Sequence, residues 1–196
     1  MKERISERKR QTRETSIEMK LNLDGNGMVN LNTGIPFLEH MLTLFARHGF
    51  FDLTVAADGD LPVDNHHLVE DLGLVLGDAF MDALGDKHGV RRYGSSLLPM
   101  DEVLVQVAVD LSGRPYLGLD LPLPVLRLGS FETEVIREFF QAFVNKAQCT
   151  LHIRLQCGVN THHIIEAAFK GFGRALDEAT SIDDRLEGVL STKGTL

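Results

Sequence analysis

Apolar residues recur along this chain with two different periods. In residues 13–23 they alternate, with Thr15, Ile17, Met19, Leu21 and Leu23 on one side, which predicts a strand. The run Asp24-Gly25-Asn26-Gly27 reads as a turn, and residues 28–32 as a returning strand. At Pro36 the period changes. Phe37, Leu38, Met41, Leu42 and Phe45 line one face of a helix that Pro36 opens and Gly49 closes. Residues 51–57 return to strand, 58–64 form a polar loop, and a second helix follows. Leu68, Leu72, Val75, Leu76, Ala79 and Phe80 make its stripe, and Gly85 ends it.

The same order then recurs. Val103, Val105, Val107 and Val109 alternate as a strand, Ser112-Gly113-Arg114-Pro115 turns the chain, and residues 116–121 return. Residues 131–145 read as helix, 150–156 as strand, and a last helix runs to about Ala179. The pattern therefore predicts an α+β fold with internally duplicated ββαβα halves, residues 1–92 and 93–196, fused over one core with helices layered on mainly antiparallel sheets. The segment from Ser181 onward is polar and has no clear period.

Both halves carry the same polar motif at the start of their last helix: Asp64-Asn65-His66-His67-Leu68-Val69-Glu70 and Asn160-Thr161-His162-His163-Ile164-Ile165-Glu166. Each first histidine and its glutamate are four residues apart, hence one turn apart on one face, the spacing of a chelating pair. Each second histidine points about 100° away, toward a different neighbour. The earlier helix of each half adds His40 in the first and Glu138 in the second, in similar apolar surroundings.

Composition narrows the chemistry. The chain has 196 residues, 43% of them hydrophobic, and a net charge of -8, which argues against nucleic acid as a partner. No apolar run is long enough to span a bilayer, and the charged N-terminus lacks the apolar core of a signal peptide. Cys149 and Cys157 flank one predicted strand, too far apart for a disulfide, so they read as free thiols of a reducing, cytoplasmic compartment.

Imidazole with carboxylate suits manganese, iron, cobalt, nickel or zinc better than magnesium or calcium, and the motifs contain no cysteine that would make a structural zinc site. His40, His66, His67, Glu70, Glu138, His162, His163 and Glu166 suffice for two ions. By the two-fold logic of the repeat, His66, Glu70, His163 and Glu138 hold one, and His162, Glu166, His67 and His40 the other. Arg92, Arg114, Lys170 and Lys193 form a second theme, because guanidinium and ammonium groups beside hydroxyls clamp phosphate. Lys170 is also spaced to pair with Glu166. A dinuclear hydrolase and a non-catalytic metal shell remain alternatives at this point.

The doubled His-His-x-x-Glu, the segment Gly34-Ile35-Pro36-Phe37-Leu38-Glu39-His40-Met41-Leu42, the turn Asp110-Leu111-Ser112-Gly113-Arg114-Pro115 and the tail Ser191-Thr192-Lys193-Gly194 closely resemble the imidazoleglycerol-phosphate dehydratase family. The resemblance runs from about Arg10 to the C-terminus. It implies a fold like the second domain of ribosomal protein S5, and a monofunctional hydro-lyase that removes water from imidazoleglycerol phosphate in histidine biosynthesis. It also implies two Mn²⁺ ions per site and a homo-oligomeric, twenty-four-subunit shell with active sites between subunits. Glu14 is then the acid–base group, with His40, His67 and Glu166 at the reacting centre. Arg92, Arg114, Lys170, Ser191, Thr192 and Lys193, together with Glu14, contact substrate. Glu138 departs from the histidine that many relatives carry at that position.

Overall fold

A computed structural model describes residues 4–194. The first half runs β1 (Ile5–Gln11), β2 (Thr15–Asn22), β3 (Val29–Asn32), α1 (Pro36–His48), β4 (Asp52–Gly59) and α2 (His66–Leu84). The second runs β5 (Tyr93–Met100), β6 (Val103–Asp110), β7 (Tyr116–Asp120), a short hairpin of β8 (Arg127–Leu128) and β9 (Phe131–Glu132), α3 (Val135–Ala147), β10 (Thr150–Cys157) and α4 (Thr161–Thr180). The two main sheets have matching orders, β1-β2-β4-β3 and β5-β6-β10-β7. In each, three strands are antiparallel and the last is parallel to its neighbour. This is the duplicated α+β architecture that the periodicity predicts.

Each half opens with one strand more than the pattern reveals, because those strands do not alternate in hydropathy. The inward positions of β1 are Ser6, Arg8 and Arg10. They face acids of α2: Ser6 Oγ lies 2.7 Å from Asp82, Arg8 pairs with Asp82 at 2.7 Å, and Arg10 with Asp71 at 2.9 Å. In β5 the inward residue nearest α4 is Gly94, where a Cβ would stand 1.9 Å from the carbonyl oxygen of Ala175. Polar and absent side chains leave no apolar alternation to read.

Two further expectations need correction. β3 and β7 do not return along β2 and β6. They pair in parallel with β4 and β10, so that α1 and α3 serve as the crossovers a parallel pair requires. In addition, Phe131 and Glu132 belong to the β8–β9 hairpin rather than to the following helix. The Thr133 hydroxyl, donating to the carbonyl of Val125 at 2.8 Å, and the Thr133 N–H, donating to Leu126, hold the chain extended there.

The helices pair across the halves, α2 against α3 and α1 against α4, while α2 covers β1 and β2 and α4 covers β5 and β6. Gly77 of α2 and Gly173 of α4 permit this. A Cβ at Gly77 would meet the Phe143 carbonyl at 2.5 Å, and one at Gly173 the Phe45 carbonyl at 2.3 Å. The seam is filled by phenylalanines in edge and stacked contact: Phe45 with Phe80 and Phe172, and Phe143 with both Phe80 and Phe172. One continuous core therefore spans both halves. Among the described residues, no helix is long and apolar enough to cross a membrane. The core fixes where α2 and α4 begin, and both His-His motifs sit at those starts.

Candidate metal and substrate site

Each motif is held by a polar residue that ends the preceding loop. In α4 the Asn160 side chain accepts the backbone N–H of His162 and of His163, at 3.0 and 3.3 Å. In α2 that task falls to Asp64, whose Oδ1 accepts the His66 N–H at 2.8 Å. Asn65 instead donates to the Ser130 carbonyl and to Glu132, tying the start of α2 to the β8–β9 hairpin.

At α4 three of the predicted ligands converge. His162 Nε2 lies 3.2 Å from Glu166 Oε2, and His40 Nε2, brought over by α1, lies 3.5 Å from the same oxygen. One ligand atom from each of His40, His162 and Glu166 falls within a 4.8 Å span. Ligands of one ion at bonds of about 2.1 Å lie within roughly 4.2 Å of each other, so small side-chain rotations suffice to hold a divalent cation here. The donor set, two imidazoles and a carboxylate, suits a transition metal. Phe37 packs edge-on against His162, at 5.4 Å between ring centroids, and fixes its plane. Lys170 approaches Glu166 to 2.5 Å. Burial pushes the Glu166 carboxyl up, but its hydrogen bonds to Lys170, His40 and His162 outweigh this and hold it below the ordinary carboxylate value.

The α2 motif is more open. His66 Nε2 stands 3.9 Å from Glu70. His67 Nδ1 lies 2.9 Å from Asp60 Oδ2 and 3.9 Å from Glu14. The Asp60 hydrogen bond raises the His67 pKa above the ordinary imidazole value. Glu14 occupies the β1–β2 turn, where its N–H donates to Thr12 Oγ1 and its carbonyl accepts the Asp60 N–H at 3.1 Å. Its carboxylate is 57% exposed and reaches toward the motif. His163 is turned toward the β5–β6 turn, with Nδ1 2.9 Å from Glu102 Oε2, and this contact raises its pKa while lowering that of Glu102. Among the described residues, Glu138 makes no ion pair, and neither His67 nor His163 joins the His40–His162–Glu166 group.

The basic residues gather at the opposite end of the second sheet. Arg92, in left-handed conformation at φ 72, grips Asp110 with two nitrogens at 2.7 and 3.1 Å and donates to the Leu190 carbonyl at 2.8 Å. It thereby holds the segment leading into Ser191, Thr192 and Lys193, which closes a turn with the Gly194 N–H on the Ser191 carbonyl. Arg114 lies in the turn just after β6. The Arg92 N–H donates to the carbonyl of Ala179, near the end of α4. From His162 to Ala179 the helix rises about 25 Å. Within one chain, then, Arg92, Arg114 and the tail stand apart from His162, and of these predicted contacts Lys170 is the one beside the His40–His162–Glu166 group.

Two carboxylates at the motifs were not singled out in the sequence, Asp60 and Glu102. Glu102 had a signal, since it fills the turn that corresponds to the turn of Glu14, but that correspondence is visible only once β1 and β5 are known. Asp60 lies in a loop of several acids and gave none.

Comparison with known proteins is consistent in direction. The family model for imidazoleglycerol-phosphate dehydratase matches residues 33–176. A relative of that name from Trichlorobacter lovleyi is 59% identical over 193 residues, covering 98% of this chain and 99% of its own length. Another from Acetivibrio thermocellus is 59% identical, covering 95% and 96%. Among solved structures, the chain is similar to imidazoleglycerol-phosphate dehydratase from Staphylococcus aureus, with TM-score 0.83, 42% identity, 91% of this chain and 99% of that one. It is also similar to IGPD from Pyrococcus furiosus in complex with (S)-C348, with TM-score 0.84, 37% identity, 96% of this chain and 100% of that one.

Proposed function

The chain belongs to the imidazoleglycerol-phosphate dehydratase family, and on that premise we propose that it removes water from D-erythro-imidazoleglycerol phosphate to give imidazoleacetol phosphate in L-histidine biosynthesis. The observation that carries the reading is the convergence of His40, His162 and Glu166 at the start of α4, with a second motif of the same spacing at the start of α2. Two Mn²⁺ ions per site are proposed, one on His66, Glu70, His163 and Glu138 and one on His162, Glu166, His67 and His40. Bound there, the cations supply Lewis acidity to the imidazole ring of the substrate.

The remaining work falls to side chains. The substrate loses a hydrogen from one carbon and the hydroxyl from its neighbour next to the ring, and the resulting enol becomes a ketone. Glu14 is the proposed proton carrier: its exposed carboxylate lies beside His67, where it can take the C–H proton as hydroxide leaves and deliver it to the carbon next to the ring during tautomerisation, while the enol O–H proton is released and completes the water. His40, His67 and Glu166 hold the reacting end in place. Arg92, Arg114, Lys170, Ser191, Thr192 and Lys193 are the proposed contacts to phosphate and hydroxyls.

The separation of Arg92 from His162 along α4 supports a site built between copies of the chain. One copy would then offer Arg92, Arg114 and the tail, and another His162 and Glu166 with Lys170 beside them, in a homo-oligomer proposed to have twenty-four subunits. The two repeat halves, residues 1–92 and 93–196, act as one functional unit, and the proposed location is the cytoplasm. Incubating the Mn²⁺-loaded protein with imidazoleglycerol phosphate tests the reading. Ketone formation with the phosphate ester retained is expected. Release of inorganic phosphate would point instead to a hydrolase, and metal uptake without turnover to a storage shell.

A further inference from the structure

The two halves treat their second histidine alike by unlike means. Nδ1 of His67 lies 2.9 Å from an oxygen of Asp60, and Nδ1 of His163 lies 2.9 Å from an oxygen of Glu102. An ionised carboxylate only accepts hydrogen bonds, so in both rings a proton sits on Nδ1, and in the neutral ring the lone pair is on Nε2. The two carboxylates come from non-equivalent places. Glu102 lies in the β5–β6 turn, which corresponds to the β1–β2 turn of Glu14. Asp60 lies in the loop between β4 and α2.

The difference follows from loop length. Residues 60–65 separate β4 from His66, whereas only 158–161 separate β10 from His162, and Gly158, Val159, Asn160 and the first helical residue Thr161 include no acid. In the second half the orienting carboxylate must therefore come from the neighbouring turn, and Glu102 supplies it. It is pinned there by a second contact, accepting the Asn160 N–H at 3.2 Å. In the first half the longer loop supplies Asp60, whose N–H is tied to the Glu14 carbonyl at 3.1 Å. Glu14 is left 3.9 Å from His67 Nδ1, beyond hydrogen-bond range, with its carboxylate exposed.

We propose that Asp60 and Glu102 are positioning residues that each accept the Nδ1–H hydrogen bond of the second motif histidine and so present Nε2 of His67 and His163 for metal ligation, and that Asp60, by occupying His67, releases Glu14 for substrate. The proposal rests on the metal-site reading above. It explains why one member of a duplicated glutamate pair stands off its motif histidine and the other is hydrogen-bonded to it. A carboxylate behind a ligating imidazole fixes the tautomer and raises ligand basicity, and its loss costs 10–100-fold in metal affinity as a rule.

The test uses four variants of the full-length protein, Asp60→Ala, Asp60→Asn, Glu102→Ala and Glu102→Gln. Asn and Gln keep an oxygen that accepts from Nδ1–H; Ala does not. Side-chain ¹⁵N shifts of the histidines are read in the metal-free protein, Mn²⁺ affinity is read by titration, and thermal midpoints check folding. In Asp60→Ala the His67 ring should leave the pure Nδ1–H tautomer, and in Glu102→Ala the His163 ring should do so. Mn²⁺ affinity should fall by about 10–100-fold in the Ala variants and less in Asn and Gln. Asp60→Ala should also lower kcat beyond its metal deficit, because Glu14 then swings onto His67. Unchanged tautomers in folded Ala variants would overturn the proposal, as would equal Mn²⁺ affinity across wild type, Ala and amide variants. Failure of the wild type itself to bind Mn²⁺ would reject the metal reading instead, while the metal-free tautomers still decide the positioning.

Discussion

Glu14 is a single exposed carboxylate on a turn, and one substitution there separates a role in proton transfer from a role in holding metal. Glu14→Gln removes the titrating oxygen and keeps the shape. A general acid–base group contributes roughly 100-fold or more to rate, so kcat is expected to fall by about that factor or more while Mn²⁺ content stays at the wild-type level. Equal losses in both would make Glu14 a ligand, and an unchanged kcat would remove it from the reaction. A second residue isolates burial. The Cys149 side chain is fully enclosed, and burial pushes its thiol up to about 12. At pH 8 iodoacetamide should leave Cys149 unmodified in the native protein and alkylate it after denaturation, as peptide mass spectrometry will report. Native labelling at the denatured rate would contradict the enclosed position. At this scale the histidines and glutamates of the motifs were legible because helical spacing alone sets which of them share a face. Asp60 and Glu102 were not, because their partnership with His67 and His163 depends on how loops of different length fold back onto helix starts.

Between elements, the pairing of α2 with α3 and of α1 with α4 depends on close glycine contacts, among them the repeat-related pair Gly77 and Gly173. An exposed helical glycine replaced by alanine usually gains about 0.5–1 kcal/mol, because alanine loses less backbone freedom. Gly77 and Gly173 reverse that sign, since a methyl at either would stand 2.5 or 2.3 Å from a carbonyl of the facing helix. Overpacking of this kind costs about 1–3 kcal/mol. Gly77→Ala and Gly173→Ala are therefore expected to lower the thermal midpoint, each by a similar amount because the two sites are repeats of one contact. A raised midpoint would show that the helices are not held this closely. The same helices explain what could be read from sequence. Their buried stripes are continuous, so Leu68, Leu72, Val75, Leu76, Ala79 and Phe80 announced α2 directly, and the valines of β6 announced a strand covered on one face. β1 and β5 were silent because the face each turns inward carries Arg8 and Arg10, or Gly94. Strand direction was silent too. A short strand after a turn reads the same whether it returns beside its predecessor or crosses to the far edge, as β3 does.

For the whole molecule, the decisive quantity is distance. Arg92 contacts the end of α4 near Ala179, and His162 lies in the first turn of that helix, about 25 Å away along it. A phosphorylated imidazole of a few bonds' length cannot touch both in one chain, so the two must come from different copies if both contact the same substrate. This is testable by mixing. Arg92→Ala and His162→Ala are each expected to be inactive, the first because it lacks a phosphate contact and the second because it lacks a metal ligand. If sites lie between copies, an oligomer reassembled from equal amounts of both variants contains sites whose Arg92 comes from a His162→Ala chain and whose His162 comes from an Arg92→Ala chain. Random assembly makes about a quarter of the sites intact in this way, so activity should return to about that fraction of wild type. If each chain carried a whole site, every site would keep one lesion and mixing would restore nothing. Mixing the intact oligomers without dissociation provides the control, since subunits that do not exchange cannot complement. Recovery only after dissociation and reassembly would therefore place the reaction between chains, and a persistently inactive mixture of properly assembled oligomers would confine it to one.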